Sequence, residues 1–169
     1  MPELITPQIF DIANAIKSKN SSSYKKRSDF KILFVYPNLQ MSSLAPQGLG
    51  ILSAIMKENG YTDVNLFDCT FYNSHALYSP EERINKVAVR PYSFKDRKIT
   101  LKETDMLDDF TNMVDEYEPD LLAFSVVENT WFIAELLLDC LKNKKAKTLI
   151  GGVFPTYAPQ IVINNSNVD

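Results

Sequence analysis

Four short apolar runs, each separated from the next by a helical pattern, constrain this chain more than any other feature of its sequence. The runs are rich in valine, isoleucine, leucine and phenylalanine, which is typical of strands buried on both faces of a parallel sheet. Consecutive parallel strands need a long crossover connection, which is usually a helix. The predicted strands lie within residues 30–37, 63–69, 120–129 and 146–152.

Helical spacing of apolar residues fills the stretches that follow these runs. Gly60 and Pro119 are typical stop signals, and Thr100 with Glu103 has the spacing of a capping box. The predicted helices lie within residues 47–60, 100–118 and 130–145, with a last helix starting near Pro159. This alternation favours a doubly wound, Rossmann-like parallel α/β sheet with the flavodoxin-like arrangement.

The first residues predict an extra N-terminal helix. Ile5, Ile9, Ile12 and Ile16 recur on one helical face, with a capping threonine and a proline at its start. A Ser/Lys-rich linker follows up to residue 29, so we expect an appendage of residues 1–29 before a main domain of residues 30–169.

Two stretches, residues 23–29 and 70–100, do not fit the alternation of strands and helices. The basic run at residues 23–29 is expected to be a solvated linker, with a nucleic-acid contact as the alternative. Residues 70–100 mix aromatic, charged and proline residues and predict an insertion with one short helix at residues 80–87.

Composition narrows the functional classes. The chain of 169 residues has a net charge of −3, so it has no global attraction for nucleic acid or anionic membranes. Its two cysteines, Cys69 and Cys140, are far apart in sequence, which argues against a zinc or iron–sulfur site within this chain. No signal peptide or membrane-length apolar run is evident, and we expect a cytoplasmic protein with no membrane partner.

Parallel sheets of this kind bind ligands at the carboxyl ends of their strands. The loops there hold Ser125, Asn129 and Thr130, whose short polar groups suit a ligand, although Asn129 or Thr130 could instead cap the next helix. Gly151 and Gly152 permit either a tight turn with positive φ or very close approach of a ligand.

Motifs for catalysis are missing from these loops. The sequence has no G-x-G-x-x-G fingerprint, no phosphate-binding P-loop and no G-x-S-x-G elbow. Its single histidine, His75, is expected on the surface of the insertion. Asp68, at the end of the second strand, could bind a ribose hydroxyl or simply cap a loop. The edge is therefore expected to hold a ligand rather than transform one, and no catalytic residue is predicted.

The segments "KILFVYPN…APQGLGILSAIMKENGY…VNLFD", "PDLLAFSVVENTWFIAELLLDCLK" and "TLIGGVFPTYAPQIVI" resemble the cobalamin (B12)-binding domain found at the N-terminus of many radical S-adenosylmethionine enzymes. The resemblance covers residues 30–169. It implies that the corrin lies against the loop after the first strand and that the nucleotide tail approaches the two glycines. The implied cofactor-binding residues are Pro37, Asn38, Gln47, Gly48, Ser125, Asn129, Thr130, Gly151, Gly152, Phe154, Pro155 and Thr156.

Two family motifs are missing. The chain lacks the Asp-x-His-x-x-Gly of cobalamin modules in methyltransferases and mutases, so the resemblance implies no cobalt ligand. It also lacks the Cys-x3-Cys-x2-Cys motif, so S-adenosylmethionine and the [4Fe-4S] cluster would belong to a C-terminal barrel outside this chain. The resemblance thus implies a non-catalytic cobalamin-binding fragment of a radical enzyme. The alternatives are a degenerate domain with a structural or protein-interaction role and, more weakly, a nucleotide-sugar-binding half of a glycosyltransferase-like protein.

Overall fold

A computed structural model describes residues 25–40, 46–73, 96, 98–141 and 145–169. Within them four parallel strands form one sheet in the order β2-β1-β3-β4. The strands are β1 (Ile32–Tyr36), β2 (Val64–Asp68), β3 (Leu121–Ser125) and β4 (Lys147–Gly151). The predicted doubly wound parallel α/β sheet is confirmed. The predicted N-terminal helix and the short helix at residues 80–87 fall outside the described residues.

Helices follow each strand, as the apolar spacing predicts. They are α1 (Gln47–Glu58), α2 (Met106–Tyr117), α3 (Trp131–Asp139), α4 (Val153–Tyr157) and α5 (Pro159–Ile163). The short helix α4 occupies a stretch that the sequence predicts to be a loop. Its five residues include Pro155, and so short an element has too little periodicity to stand out in a sequence.

The start of α2 corrects the predicted capping box. Asp105, not Thr100, caps the helix, and its carboxylate accepts the backbone N–H groups of Leu107 and Asp108 at 2.8 and 3.1 Å. The preceding residues pair with another part of the chain instead, since the Lys102 N–H donates to the Phe71 carbonyl at 2.8 Å. A non-local backbone contact therefore overrides a local pattern that is compatible with helix initiation.

The main core covers one face of the sheet, where α2 and α3 pack. Alternate strand residues point to this face because successive side chains of a strand lie on opposite sides. They meet apolar side chains of both helices, and α5 adds Val162 at the margin. The strand residues in this core are Leu33, Val35, Phe67, Leu122 and Phe124.

The opposite face, called here the α1 face, is covered less completely. Leu49 of α1 packs on Ile32, Phe34 and Ala123 in a second, smaller core. Among the described helices, α1 alone contributes to this core. Leu149, which faces the same side from β4, keeps 55% of its surface exposed.

Residues 25–29 are attached to the amino end of the sheet. Lys25 pairs with the Asp120 carboxylate at 2.6 Å, and the same carboxylate accepts the Lys31 backbone N–H at 2.8 Å. Arg27 donates to the Asn59 carbonyl and lies over the ring of Tyr61. The basic run thus makes specific contacts with the domain. Across the described residues, no helix combines the length and the apolar character needed to cross a membrane.

Candidate ligand-binding edge of the sheet

The carboxyl ends of the four strands meet along one edge of the sheet. The chain leaves β1 for β2 on one side and then adds β3 on the other side of β1. Ligands of open parallel sheets bind beside such a switch in strand order. A ligand is therefore expected beside the end of β1, the end of β3 and the start of α1.

The loop after β1 is mostly committed to the fold. Pro37 is fully buried, and Asn38 donates from Nδ2 to the Thr70 hydroxyl at 2.8 Å. Thr70 in turn donates its hydroxyl hydrogen to Asp68, whose carboxylate also accepts the Thr70 backbone N–H. Asp68 therefore caps the short 3-10 turn Cys69–Phe71, and the three polar side chains hold two strand ends together.

The loop after β3 separates two of the predicted ligand residues. The buried Thr130 hydroxyl bonds to the backbone of Val127, accepting its N–H and donating to its carbonyl, which closes the 3-10 turn Glu128–Thr130. Asn129 is exposed beside it. Thr130 thus stabilises the turn before α3, whereas Asn129 presents its amide to the solvent-facing edge.

Gly152 is required by the turn itself. Its φ is +103° and its ψ is −167°, a region essentially restricted to glycine. A Cβ at this position would lie 2.5 Å from the carbonyl oxygen of Val126 and 2.8 Å from its nitrogen. Gly152 therefore allows close approach of the protein's own backbone. Of the two predicted roles, a tight turn and the approach of a ligand, the geometry of Gly152 fits the tight turn.

Gly151 is in a different position. A Cβ there would find only the Phe124 carbonyl oxygen within reach, at an ordinary contact distance of 3.6 Å. Since Ile150 packs into the main core, Gly151 faces the opposite, α1 side of the sheet. The missing side chain leaves open space on that face.

The remaining predicted residues after β4 belong to α4. Phe154 lies against the Trp131 ring at a centroid distance of 5.4 Å, and Pro155 is half-buried. The exposed Thr156 donates its hydroxyl hydrogen to the Gly152 carbonyl at 3.0 Å. These three residues stabilise the chain after the turn.

Small residues line the α1 face at the ends of β3 and β4. Ser125 and Gly151 are register partners, and Ala123 lies two residues below Ser125 on the same side. We call Ala123, Ser125 and Gly151 the small-residue strip. Ala123 is not among the residues predicted from the sequence. It joins this group only through the pairing of β3 with β4, which a sequence pattern does not reveal.

The first turn of α1 adjoins the same edge. Gln47 and Gly48 are exposed, and the helix starts without a side-chain cap. Backbone N–H groups of a first helical turn have no partner within the helix and attract anions. The first turn of α1 therefore offers hydrogen-bond donors at the carboxyl edge, and Gln47 also borders the cleft between α1 and β2.

Ionisable groups cluster elsewhere, at the edge of β2. The Tyr72 hydroxyl donates to Asp109 at 2.7 Å and accepts from Lys102 at 2.7 Å. Burial and the neighbouring carboxylate raise the pKa of Tyr72, while the Tyr72 and Thr104 hydroxyls lower the pKa of Asp109. The cluster has a mutually satisfied arrangement that ties α2 to the segment beside β2.

Two further observations on the described residues concern potential metal ligands and the Cys69 thiol. No group of three or more His, Cys, Asp or Glu side chains there is arranged to hold a metal ion. Burial raises the pKa of the Cys69 thiol to about 12, so the reactive thiolate is scarce at neutral pH.

Comparison with known proteins identifies no relative: the chain matches no protein-family model, no curated protein and no solved structure. Of the residues that the resemblance implies, Gln47, Gly48, Ser125, Asn129 and Gly151 remain available to a ligand.

Proposed function

We propose that this domain binds cobalamin along the α1 face at the carboxyl edge of its sheet. The observation that carries the proposal is the small-residue strip of Ala123, Ser125 and Gly151, which runs into the sheet beside α1. Leu49 already covers Ala123, but Ser125 and Gly151 are partly exposed and leave room at the strand ends for a flat group, such as the nucleotide tail of cobalamin.

The available polar groups suit that tail. Its phosphate is an anion, which favours the uncapped first turn of α1 at Gln47 and Gly48. The Ser125 hydroxyl and the Asn129 amide can donate to or accept from the sugar and the side-chain amides of the corrin. Bound cobalamin would supply the methyl-transfer or radical chemistry, and the residues of this chain would bind and orient it.

The resemblance further suggests a radical S-adenosylmethionine enzyme as the context of this domain. The two cysteines of the chain are not spaced as a cluster motif, so a radical step would depend on a separate cluster-bearing domain. We therefore propose binding, and no catalytic step, for the described residues.

A degenerate domain with a structural or interaction role is the second candidate. The observation that favours it is the internal engagement of Asn38, Thr130 and Phe154, three residues that the resemblance assigns to the cofactor. Such a domain would keep the fold and lose the ligand, since a fold does not by itself determine a function.

Retention of hydroxocobalamin separates the two candidates. The full chain is mixed with hydroxocobalamin, freed of excess ligand by gel filtration, and examined for the corrin absorbance of the protein fraction. We expect the absorbance to correspond to nearly one cobalamin per chain. A folded chain that retains no corrin absorbance would refute the cobalamin proposal and favour the degenerate domain.

A matched pair of glycine variants tests the location. Gly151→Leu fills the small-residue strip where a Cβ meets only one ordinary contact, and we expect loss of retained corrin with the fold intact. Gly50→Leu adds the same side chain on α1, at a position with no atom within 4 Å of the new Cβ, and should retain the ligand. Equal retention by both variants would show that the strip is not the binding surface.

A further inference from the structure

The α1 face carries apolar side chains that no described element covers. Leu149 of β4 is 55% exposed although it lies in the middle of a strand. Leu52 and Ile55 of α1 are each 45% exposed. Several half-exposed leucine and isoleucine side chains on one face are typical of a surface that packs against something else.

Helical geometry shows which way the exposed α1 residues point. Gly50, Ser53 and Lys57 border a cleft between α1 and Leu66 of β2, so this flank of the helix faces the β2 edge. Leu52 and Ile55 are on the opposite flank, about half a turn away. They therefore point toward the side of the sheet occupied by β3 and β4.

An open trough results, with a wall on one side only. Leu52 and Ile55 form the wall, and the partly exposed Leu121 and Leu149 of β3 and β4 form the floor. In a layered α/β fold, the second half of such a face is normally covered by another helix. The described residues supply no helix for this position, because α2, α3 and α5 all pack on the other face.

The described chain enters the domain beside this trough. Lys25 is the first described residue of the N-terminal part, and its ammonium pairs with Asp120 at 2.6 Å. Asp120 immediately precedes β3, which forms the floor of the trough. Phe30, a few residues later, packs against the small core on the α1 face. Lys25 thus lies at the amino end of a strand that borders the uncovered surface.

We propose that the isoleucine-striped segment of residues 5–16 docks in this trough as a helix and forms its second wall. Ile5, Ile9, Ile12 and Ile16 share one face at helical spacing and would contact Leu149 and the exposed flank of α1. The proposal goes beyond cobalamin binding and does not depend on it.

The dimensions allow this placement. A helix of residues 5–16 is about 18 Å long, and the five-residue strands β3 and β4 measure about 17 Å. Residues 17–24 connect the helix to Lys25 and can reach about 27 Å when extended. The tether is therefore long enough for the helix to lie along the strands in either direction.

Cysteine labelling of the trough floor tests the proposal. The full chain carries Leu149→Cys together with Cys140→Ser, and labelling of position 149 by N-ethylmaleimide is followed over time by peptide mass spectrometry. Cys69 is buried and consumes little reagent. We expect position 149 to be labelled at least about tenfold more slowly than in a chain whose segment is undocked. This factor corresponds to a docked state favoured ten to one over the open state.

Matched charge variants identify the occupant. Ile9→Asp with Ile12→Asp places charges on the isoleucine face and should restore fast labelling at position 149. Asn14→Asp adds a charge on the opposite face of the same segment and should leave the protection unchanged. Neither change touches the described domain, and Trp131 fluorescence verifies that it stays folded. Tyr157→Cys, at the end of α4 where the side chain is 84% exposed, should label equally fast in all backgrounds.

Each other outcome contradicts the proposal. Fast labelling of position 149 in the parent chain means that nothing covers the trough. Protection that survives Ile9→Asp with Ile12→Asp means that another segment covers it. Protection that disappears on dilution from micromolar to nanomolar chain indicates a second copy. Labelling is measured without cobalamin, so failure here is separable from failure of ligand binding.

Discussion

Replacing Gly152 with alanine places a methyl group where the backbone of Val126 already stands. The new Cβ would lie 2.5 Å from the Val126 carbonyl oxygen and 2.8 Å from its nitrogen, both below any real contact distance. That carbonyl also accepts the Phe154 N–H at 3.2 Å, and the Val126 N–H donates to the Gly151 carbonyl at 2.9 Å. The clash therefore falls on the bonds that join the end of β3 to the turn after β4.

The expected loss of stability has two parts. Holding alanine at the φ of +103° observed for Gly152 costs about 1–3 kcal/mol. Relieving the contact with Val126 requires a backbone shift of the kind that overpacking causes, which costs about 1–3 kcal/mol. The free energy of unfolding should therefore fall by about 2–6 kcal/mol, a large share of the roughly 5–15 kcal/mol typical of a domain.

Urea denaturation followed by the fluorescence of Trp131 measures this loss. The residue is the single tryptophan of the chain, it is buried, and it contacts Phe154 just after the turn. Gly151→Ala is the matched control, because its Cβ would meet only one atom, at 3.6 Å. We expect this control to change stability by less than about 1 kcal/mol. Equal midpoints for the two variants would refute the assignment of Gly152 to the turn.

Two further predictions concern the start of α2 and the amino end of the sheet. Asp105→Ala removes the helix cap and should lower the free energy of unfolding by about 1 kcal/mol. Thr100→Ala should leave it almost unchanged. A larger loss for Thr100→Ala than for Asp105→Ala would favour the capping box predicted from the sequence. Burial acts to raise the pKa of Asp120, but Lys25 and the Lys31 backbone N–H outweigh it and hold this pKa below its usual value. The resulting stabilisation is present above the ordinary aspartate pKa of about 4 and is lost as pH falls through the lowered one. Denaturation titrations between pH 6 and pH 2 should show a shallower acid loss for Asp120→Asn, and identical slopes would contradict the pairing.

Much of the fold could be predicted from local pattern. The four strands and the crossover helices are readable because each strand is a continuous apolar run and each longer helix repeats apolar residues at helical spacing. Two errors have non-local or size-related causes. Lys102 pairs with the backbone of Phe71, which delays the start of α2, and α4 is too short for a periodic signal.

The candidate site was less predictable because its residues are sorted by contacts between strands. In the sequence, Gly151 and Gly152 are equivalent: each could serve a turn or a ligand. The structure separates them through Val126, which stands against one glycine and not the other. Similarly, Thr130 and Asn129 are adjacent polar residues, yet only Thr130 folds back on the Val127 backbone. Neither distinction is carried by residue type or spacing.

The separation of the two glycines also restricts how a ligand can reach this edge. The main-core face of β3 and β4 is filled by α2 and α3, and the turn at Gly152 is closed by Val126. A ligand that lies on the strand ends must therefore come along the α1 face, where Gly151 and Ser125 are partners. The uncovered Leu149 lies on this same face, two residues before Gly151 in β4. A helix docked over Leu149 along the whole length of β4 would also pass over Gly151, so the segment and a ligand would compete for the small-residue strip.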